Sequence, residues 1–172
     1  SLSFEVIIIT SESFSIGRNF YALRSRIDLG NKTLGYMLTH VDDSFNNNTA
    51  TVNVIDYVNI KSDQLTYFTD LLFSEKDDDS GFGYRSQFNY QPSNFSYITG
   101  SILYFDENFQ LNDFGYLRKA DWIHIGLGGG FKQVNFSKES PVNQIDMNID
   151  FNHDSDTNGN SNPIRIDQKN EI

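Results

Sequence analysis

The 172-residue chain contains no cysteine, only three prolines and very little alanine. The absence of cysteine excludes disulfide bonds, thiolate zinc sites and cysteine nucleophiles. No window keeps a 3.6-residue hydrophobic period, so we expect no amphipathic helix of any length. No apolar run approaches the roughly 18 residues of a membrane helix, and we therefore expect no membrane insertion.

Positive charge is also scarce, with 13 Lys and Arg against 23 Asp and Glu and a formal net charge of −10. A surface of this sign opposes binding to nucleic acid or to anionic lipid, because both partners require a cationic face. We therefore expect no nucleic-acid partner.

Aromatic residues, in contrast, are abundant: 15 Phe and nine Tyr favour strands over helices. Apolar and polar residues alternate in about ten short runs, which are separated by turn signals such as Gly30-Asn31. The cleanest alternation spans residues 145–151. The pattern predicts an all-β fold, an antiparallel β-barrel, with a β-sandwich or jelly roll as the alternative.

The composition changes near residue 151. Residues 1–151 are predicted to form one β-barrel domain. Residues 152–172 are rich in Asn and Asp and nearly free of core residues, which predicts a polar C-terminal tail.

Four glycines, at 126, 128, 129 and 130, lie between two strand-like runs, Trp122–Ile125 and Phe131–Phe136. Glycine permits tight backbone geometry, so the cluster predicts a sharp bend or bulge between two strands. A strand rather than a helix follows it, and phosphate binding at a helix N-terminus is therefore not expected.

The segment Asp154–Asn160 has oxygen-bearing side chains at positions 1, 3 and 5 and glycine at position 6, like the first half of a calcium loop. Arg165 stands where the bidentate Glu belongs, and Pro163 interrupts the second half. Two interpretations stay open: a non-standard Ca²⁺ loop, or a polar tail without a metal. The candidate metal ligands are Asp154, Asp156, Asn158 and Asn160.

Four N-x-S/T sequons, at Asn31, Asn47, Asn94 and Asn135, are compatible with a glycoprotein. They are also compatible with secretion, and the expected location is secreted or at the cell surface.

The glycine-rich run Gly126–Phe131 follows a buried strand and is similar to the glycine-rich strand of the dirigent and allene oxide cyclase barrel family. Gly81–Arg85 resembles that family's strand with a glycine near an aromatic residue. Thr99–Ile102 and Asn112–Gly115 resemble its hairpin. The resemblance covers residues 81–151 and implies a closed antiparallel barrel, often trimeric and secreted, whose interior binds an apolar or phenolic molecule.

The sequence departs from the family pattern at Leu127, where a glycine is expected, and at Asn135 and Phe136. No charged residue of the family's pocket can be matched, so the resemblance supplies no catalytic residue and leaves enzymatic activity open.

Two functions are consistent with these observations. The first is a barrel whose aromatic-lined cavity binds an apolar small molecule and guides its cyclisation or coupling. The second is a non-enzymatic structural, adhesive or glycan-binding extracellular module, stabilised by calcium. Either could be a homo-oligomer. The candidate ligand-binding residues are Tyr36, Tyr84, Arg85, Phe88, Tyr90, Trp122 and His124.

Overall fold

The computed structural model describes residues 2–12, 18–43, 48–111, 120–134, 140, 142 and 144–171. Ten strands follow one another along the chain: β1 (Leu2–Glu12), β2 (Arg18–Leu29), β3 (Lys32–Asp43), β4 (Asn48–Ser62), β5 (Leu65–Lys76), β6 (Asp79–Ser93), β7 (Ser96–Phe105), β8 (Trp122–Gln133), β9 (Ile145–Ser155) and β10 (Arg165–Glu171). In the described part of the chain, no helix is long and apolar enough to cross a membrane.

The strands form one antiparallel meander in which each strand pairs with its neighbours in sequence. Two-residue turns join β2 to β3, β4 to β5 and β6 to β7. Gly30 in the first of these turns has a φ of 71°, a conformation that favours glycine. The prediction of an all-β antiparallel fold is confirmed.

The ten strands form a single open layer. Within the described strands, contacts occur only between sheet neighbours, and β1 does not pair with β10. The described sheet is therefore neither a closed barrel nor a sandwich, because it has two free edges and no second layer.

Burial is concentrated on one side of this sheet. The buried side chains Thr39, Val41, Val52, Asp70 and Ser74 all point to the same face, as their direct cross-strand pairing shows. No second layer covers this side in the described strands. Its burial therefore indicates that the sheet curls toward it, and we name it the concave face and the opposite side the convex face.

The glycine cluster lies inside one continuous strand, β8, and does not bend the chain between two strands. None of these glycines has a positive φ. Gly126, Gly128 and Gly130 alternate onto the concave face, where an added Cβ on Gly128 would overlap the Asp150 carboxylate. The predicted bend is wrong: glycine is needed here to make room for side chains from β9.

The predicted polar tail is corrected in a similar way. Strand β9 continues to Ser155, and β10 pairs with it over Arg165–Glu171. Polar residues can form this strand because it is the exposed edge of the sheet, where no core residue is required.

Candidate functional site

The two faces of the sheet differ in chemistry. Most of the exposed large apolar side chains lie on the convex face, among them Ile55, Ile102, Ile125, Leu127 and Ile149. The concave face holds most of the charged and amide side chains, and the five alternating residues of β9 show this most clearly: Asp146, Asn148, Asp150, Asn152 and Asp154.

The predicted ligand-binding residues do not form one cavity, because the structure divides them between the faces. Four lie on the convex face, and three lie on the concave face. The convex residues are Tyr36, Tyr84, Phe88 and Tyr90, and the concave residues are Arg85, Trp122 and His124.

The three candidate residues on the concave face already have hydrogen-bond partners within the protein. Arg85 Nε donates a hydrogen bond of 2.7 Å to Asp70 Oδ2, and the guanidinium lies 5.5 Å from the centre of the Phe68 ring. This arrangement holds the arginine against the sheet and partly compensates the Asp70 charge.

Trp122 and His124 share one acceptor on the neighbouring strand. Trp122 Nε1 donates to Asp154 Oδ1 at 2.8 Å, and His124 Nδ1 lies 2.9 Å from the same oxygen. These contacts fix the orientation of both rings at the end of the sheet where β8 begins. Sequence spacing gave no signal for the cluster, since His124 and Asp154 are 30 residues apart.

The candidate calcium ligands lie partly in β9 and partly in the turn that follows it. Asp154 accepts hydrogen bonds from Trp122 and His124, whereas Asp156 accepts from the Asn160 backbone and side-chain nitrogens at 2.8 Å. Gly159 has a φ of 86°, as the turn requires. No group of three or more His, Cys, Asp or Glu side chains that could hold a metal occurs in the described residues. Calcium binding stays a prediction.

Of the four sequons, Asn31 and Asn94 lie in two-residue turns at one end of the sheet. Asn47 and Asn135 lie outside the described residues.

The concave face also contains a cleft of about 540 Å³ that extends from β5 to β9. Six of its thirteen lining residues have neutral polar side chains, including Gln87, Asn89, Ser101 and Asn152. Of the predicted ligand-binding residues, Phe88 alone borders this cleft, and its ring lies over Gly100 on the other face. The sequence does not indicate this group, because aromatic residues predict a cavity lining and most of the aromatic residues lie on the convex face.

A second feature of the concave face is an ion pair that crosses a strand. Arg24 Nη1 on β2 lies 2.5 Å from Asp56 Oδ1 on β4, and Gly35 of β3 lies between the two residues. An added Cβ on Gly35 would overlap the Asp56 carboxylate and lie 2.7 Å from an Arg24 guanidinium nitrogen.

We therefore expect Gly35→Ala to separate Arg24 from Asp56 and to lower the free energy of unfolding by about 1 kcal/mol, since both partners are only partly buried. Equilibrium unfolding in denaturant measures this change. Adding Arg24→Met to Gly35→Ala should cost little more, because the pair is already broken. If the losses of unfolding free energy caused by Gly35→Ala and by Arg24→Met were fully additive, Gly35 would not have the role assigned to it.

Fold and site together define the class of this chain: an open antiparallel meander with one apolar and one polar face. No family model, curated protein or solved structure matches the chain.

Proposed function

We propose that this chain is a membrane-spanning β-sheet, with lipid acyl chains on its convex face and water on its concave face. Its role is then to form a non-enzymatic wall between the bilayer and a polar interior. The observation that carries the proposal is the exposure of Ile102, Ile125 and Leu127, which are 47%, 49% and 53% exposed in the middle of the sheet. Burial in lipid removes such a patch from water, at about 25 cal/mol per Å².

The strand lengths support this assignment. Most strands have 10 to 15 residues. Twelve residues at about 3.3 Å each extend roughly 40 Å, or about 28 Å along the membrane normal at a tilt of 45°. This length matches the hydrocarbon thickness of about 30 Å.

The stagger of the strands gives a suitable tilt. Direct pairing leads from Gly100, through Phe88, Tyr67 and Asn59, to Lys32. Gly100 lies four residues after the first residue of β7, whereas Lys32 is itself the first residue of β3. Over these four strand steps the register shifts by four residues, which is one residue per strand. A shift of about 3.4 Å along the strand for each strand spacing of about 4.8 Å corresponds to a strand tilt of roughly 35°, within the range of membrane barrels.

Side chains on the convex face are also ordered by depth. Aliphatic residues occupy the middle of five strands, and most aromatic residues lie toward the strand ends, as in the aromatic girdles at membrane interfaces. Tyr36 near the middle of β3 and Phe151 in the middle of β9 depart from this order, and Ser86 occupies the middle of β6. The central aliphatic residues are Leu23, Leu38, Ile55, Leu71 and Leu127, and the flanking aromatics include Tyr21, Tyr67, Phe73, Phe82, Tyr90, Tyr104 and Phe131.

We further propose that the edges of the sheet pair in the bilayer. Free backbone N–H and C=O groups at the edges of β1 and β10 would each cost several kcal/mol in hydrocarbon. In the bilayer these edges therefore pair, either with each other or with the edges of another copy, which keeps the expectation of a homo-oligomer.

This proposal replaces two expectations from the sequence. The expectation of no membrane insertion considered helices alone, whereas strands cross a bilayer with about ten residues of alternating polarity. The expectation of an apolar small-molecule partner assumed that the aromatic residues face inward, but Tyr36, Tyr84 and Tyr90 lie on the convex face.

The test uses the absence of cysteine, which allows single labels without background. Ile102→Cys and Ser101→Cys place the label on adjacent residues of opposite faces. In reconstituted vesicles, a water-soluble maleimide should label the Ser101→Cys variant at least tenfold faster than the Ile102→Cys variant. A fluorophore attached in denaturant should be quenched by brominated lipid at position 102 and not at 101.

Equal labelling rates, or quenching at neither position, would overturn the membrane assignment. If the thiol at position 102 is protected from maleimide but its fluorophore is not quenched by brominated lipid, another protein surface covers the convex face, and the proposal also fails.

A further inference from the structure

The cleft on the concave face has unused hydrogen-bonding capacity. In the described part of the chain, the side chains of Gln87, Asn89, Ser101 and Asn152 have no hydrogen-bond partner in the protein. They come from β6, β7 and β9 and border one cleft of about 540 Å³, within the usual size range of small-molecule sites. Water occupies such groups in the absence of a ligand, and a ligand with matching groups can replace it.

The chemistry of the lining selects a class of ligand. Three of these side chains are amides and one is a hydroxyl, so each of them both donates and accepts hydrogen bonds. Sugar hydroxyl groups have the same double capacity. An apolar ligand would leave the amides unpaired, which is costly.

The charge of the lining also favours a neutral ligand. Asp150 is the one charged side chain among the described lining residues. The nearby Arg85 is already bonded to Asp70. An anionic ligand therefore finds no free cation in the cleft, and Phe68 supplies an aromatic wall for the C–H groups of a sugar ring.

The glycines of β8 make the floor of the cleft. Gly126 and Gly128 lie opposite Ser101 and Thr99 on β7 and opposite Asn152 and Asp150 on β9. An added Cβ on Gly126 would lie 2.6 Å from Ser101 Oγ. Without side chains here, the polar groups of the flanking strands are accessible from one common space.

We infer that this cleft binds neutral, polyhydroxylated solutes of the saccharide class. The inference rests on the proposed function, since it assigns the concave face to the aqueous side of the membrane sheet. It deepens that function by naming what the polar surface recognises.

The test measures binding of maltose and sucrose to the full chain, folded in dodecylphosphocholine so that no glycosidic detergent competes. Saturation-transfer difference NMR and a titration by calorimetry report binding. Gln87→Leu combined with Asn89→Leu should weaken saccharide binding about tenfold, because two hydrogen-bonding groups are lost at nearly constant size. Asn148→Leu is the matched control, since Asn148 lies on the same face outside the cleft and bonds to Tyr97; it should leave binding unchanged.

Charged sugars decide the ligand class. Glucose 6-phosphate should bind more weakly than glucose, because the cleft offers no cation. Tighter binding of glucosamine that is lost in Asp150→Asn would overturn the inference in favour of a cationic ligand. No saccharide binding, or an equal loss in Asn148→Leu, would also overturn it.

The two proposals can fail separately. A chain that shows the lipid and water labelling pattern but binds no saccharide retains the membrane assignment and loses this inference. A chain that binds saccharide without contacting lipid retains the cleft and loses the membrane assignment.

Discussion

Ile102→Arg is expected to reduce stability in the bilayer by about 2–4 kcal/mol, the cost measured for a cationic side chain on the lipid face near the membrane midplane. Ile102 is 47% exposed on the convex face, and Ile125 on β8 lies directly opposite it. In lipid, the guanidinium would have to remain within the hydrocarbon region or distort the bilayer to reach water. The measurement is equilibrium unfolding by urea in lipid vesicles, with the inserted fraction determined by flotation.

Ser101→Arg is the matched control. Ser101 precedes Ile102 in β7, points to the concave face and lies opposite Gly126, which has no side chain of its own. We expect its effect to remain below about 1 kcal/mol, since an arginine there reaches water. Equal losses at 101 and 102, or a larger loss at 101, would show that the convex face does not contact lipid.

The strands themselves could be predicted from the sequence because their signals are local. The alternation over 145–151 and the turn at Gly30-Asn31 both appear in the structure as strand β9 and the β2–β3 turn. Each depends on neighbouring residues alone.

The assignment of faces could not be predicted in the same way, because alternation shows that two faces differ but not which one is covered. Aromatic residues such as Tyr84, Phe88 and Tyr90 are expected in the interior of a water-soluble domain, whereas the structure places them on the convex face. The spacing of the glycines did contain a usable signal: Gly126, Gly128 and Gly130 are two residues apart and therefore share one face.

Alternation of apolar and polar residues does not predict the structure of two segments. Residues 109–111, which precede the segment Asn112–Gly115 of the expected hairpin, are not in a strand, and Phe109 packs beside Phe105. Residues 112–115 lie outside the described residues. Strand β10 lacks apolar alternation and is formed through backbone pairing with β9.

The loop that begins at Asp106 covers one end of the concave face. Phe109 is 0% exposed, and its ring stacks on Phe105 with 4.8 Å between centroids. Phe82 N donates to Asp106 Oδ2 at 2.6 Å, and Gln110 N donates to Ser74 Oγ at 3.0 Å. The loop is therefore anchored by hydrogen bonds before and after Phe109 in the chain.

Gly81 is the residue that admits this loop, because an added Cβ there would overlap the Phe109 backbone. We expect Gly81→Ala to displace residues 106–111 and expose Phe109, at a cost of about 2–3 kcal/mol for the lost burial of one phenylalanine. Two measurements check this: the free energy of unfolding, and the rate at which a glutamate-specific protease cleaves after Glu107, which should rise at least tenfold.

Gly129→Ala tests whether any alanine in a strand has the same effect. The nearest atom to its added Cβ is the Tyr97 carbonyl oxygen at 3.1 Å, a contact that a small shift relieves. Its effect should stay below about 1 kcal/mol, with cleavage after Glu107 unchanged. Phe109→Ala, which leaves Gly81 intact, should reproduce the faster cleavage, because the apolar anchor of the loop is lost. If Gly81→Ala leaves both stability and cleavage at the level of the unmodified chain, Phe109 does not hold the loop against β6.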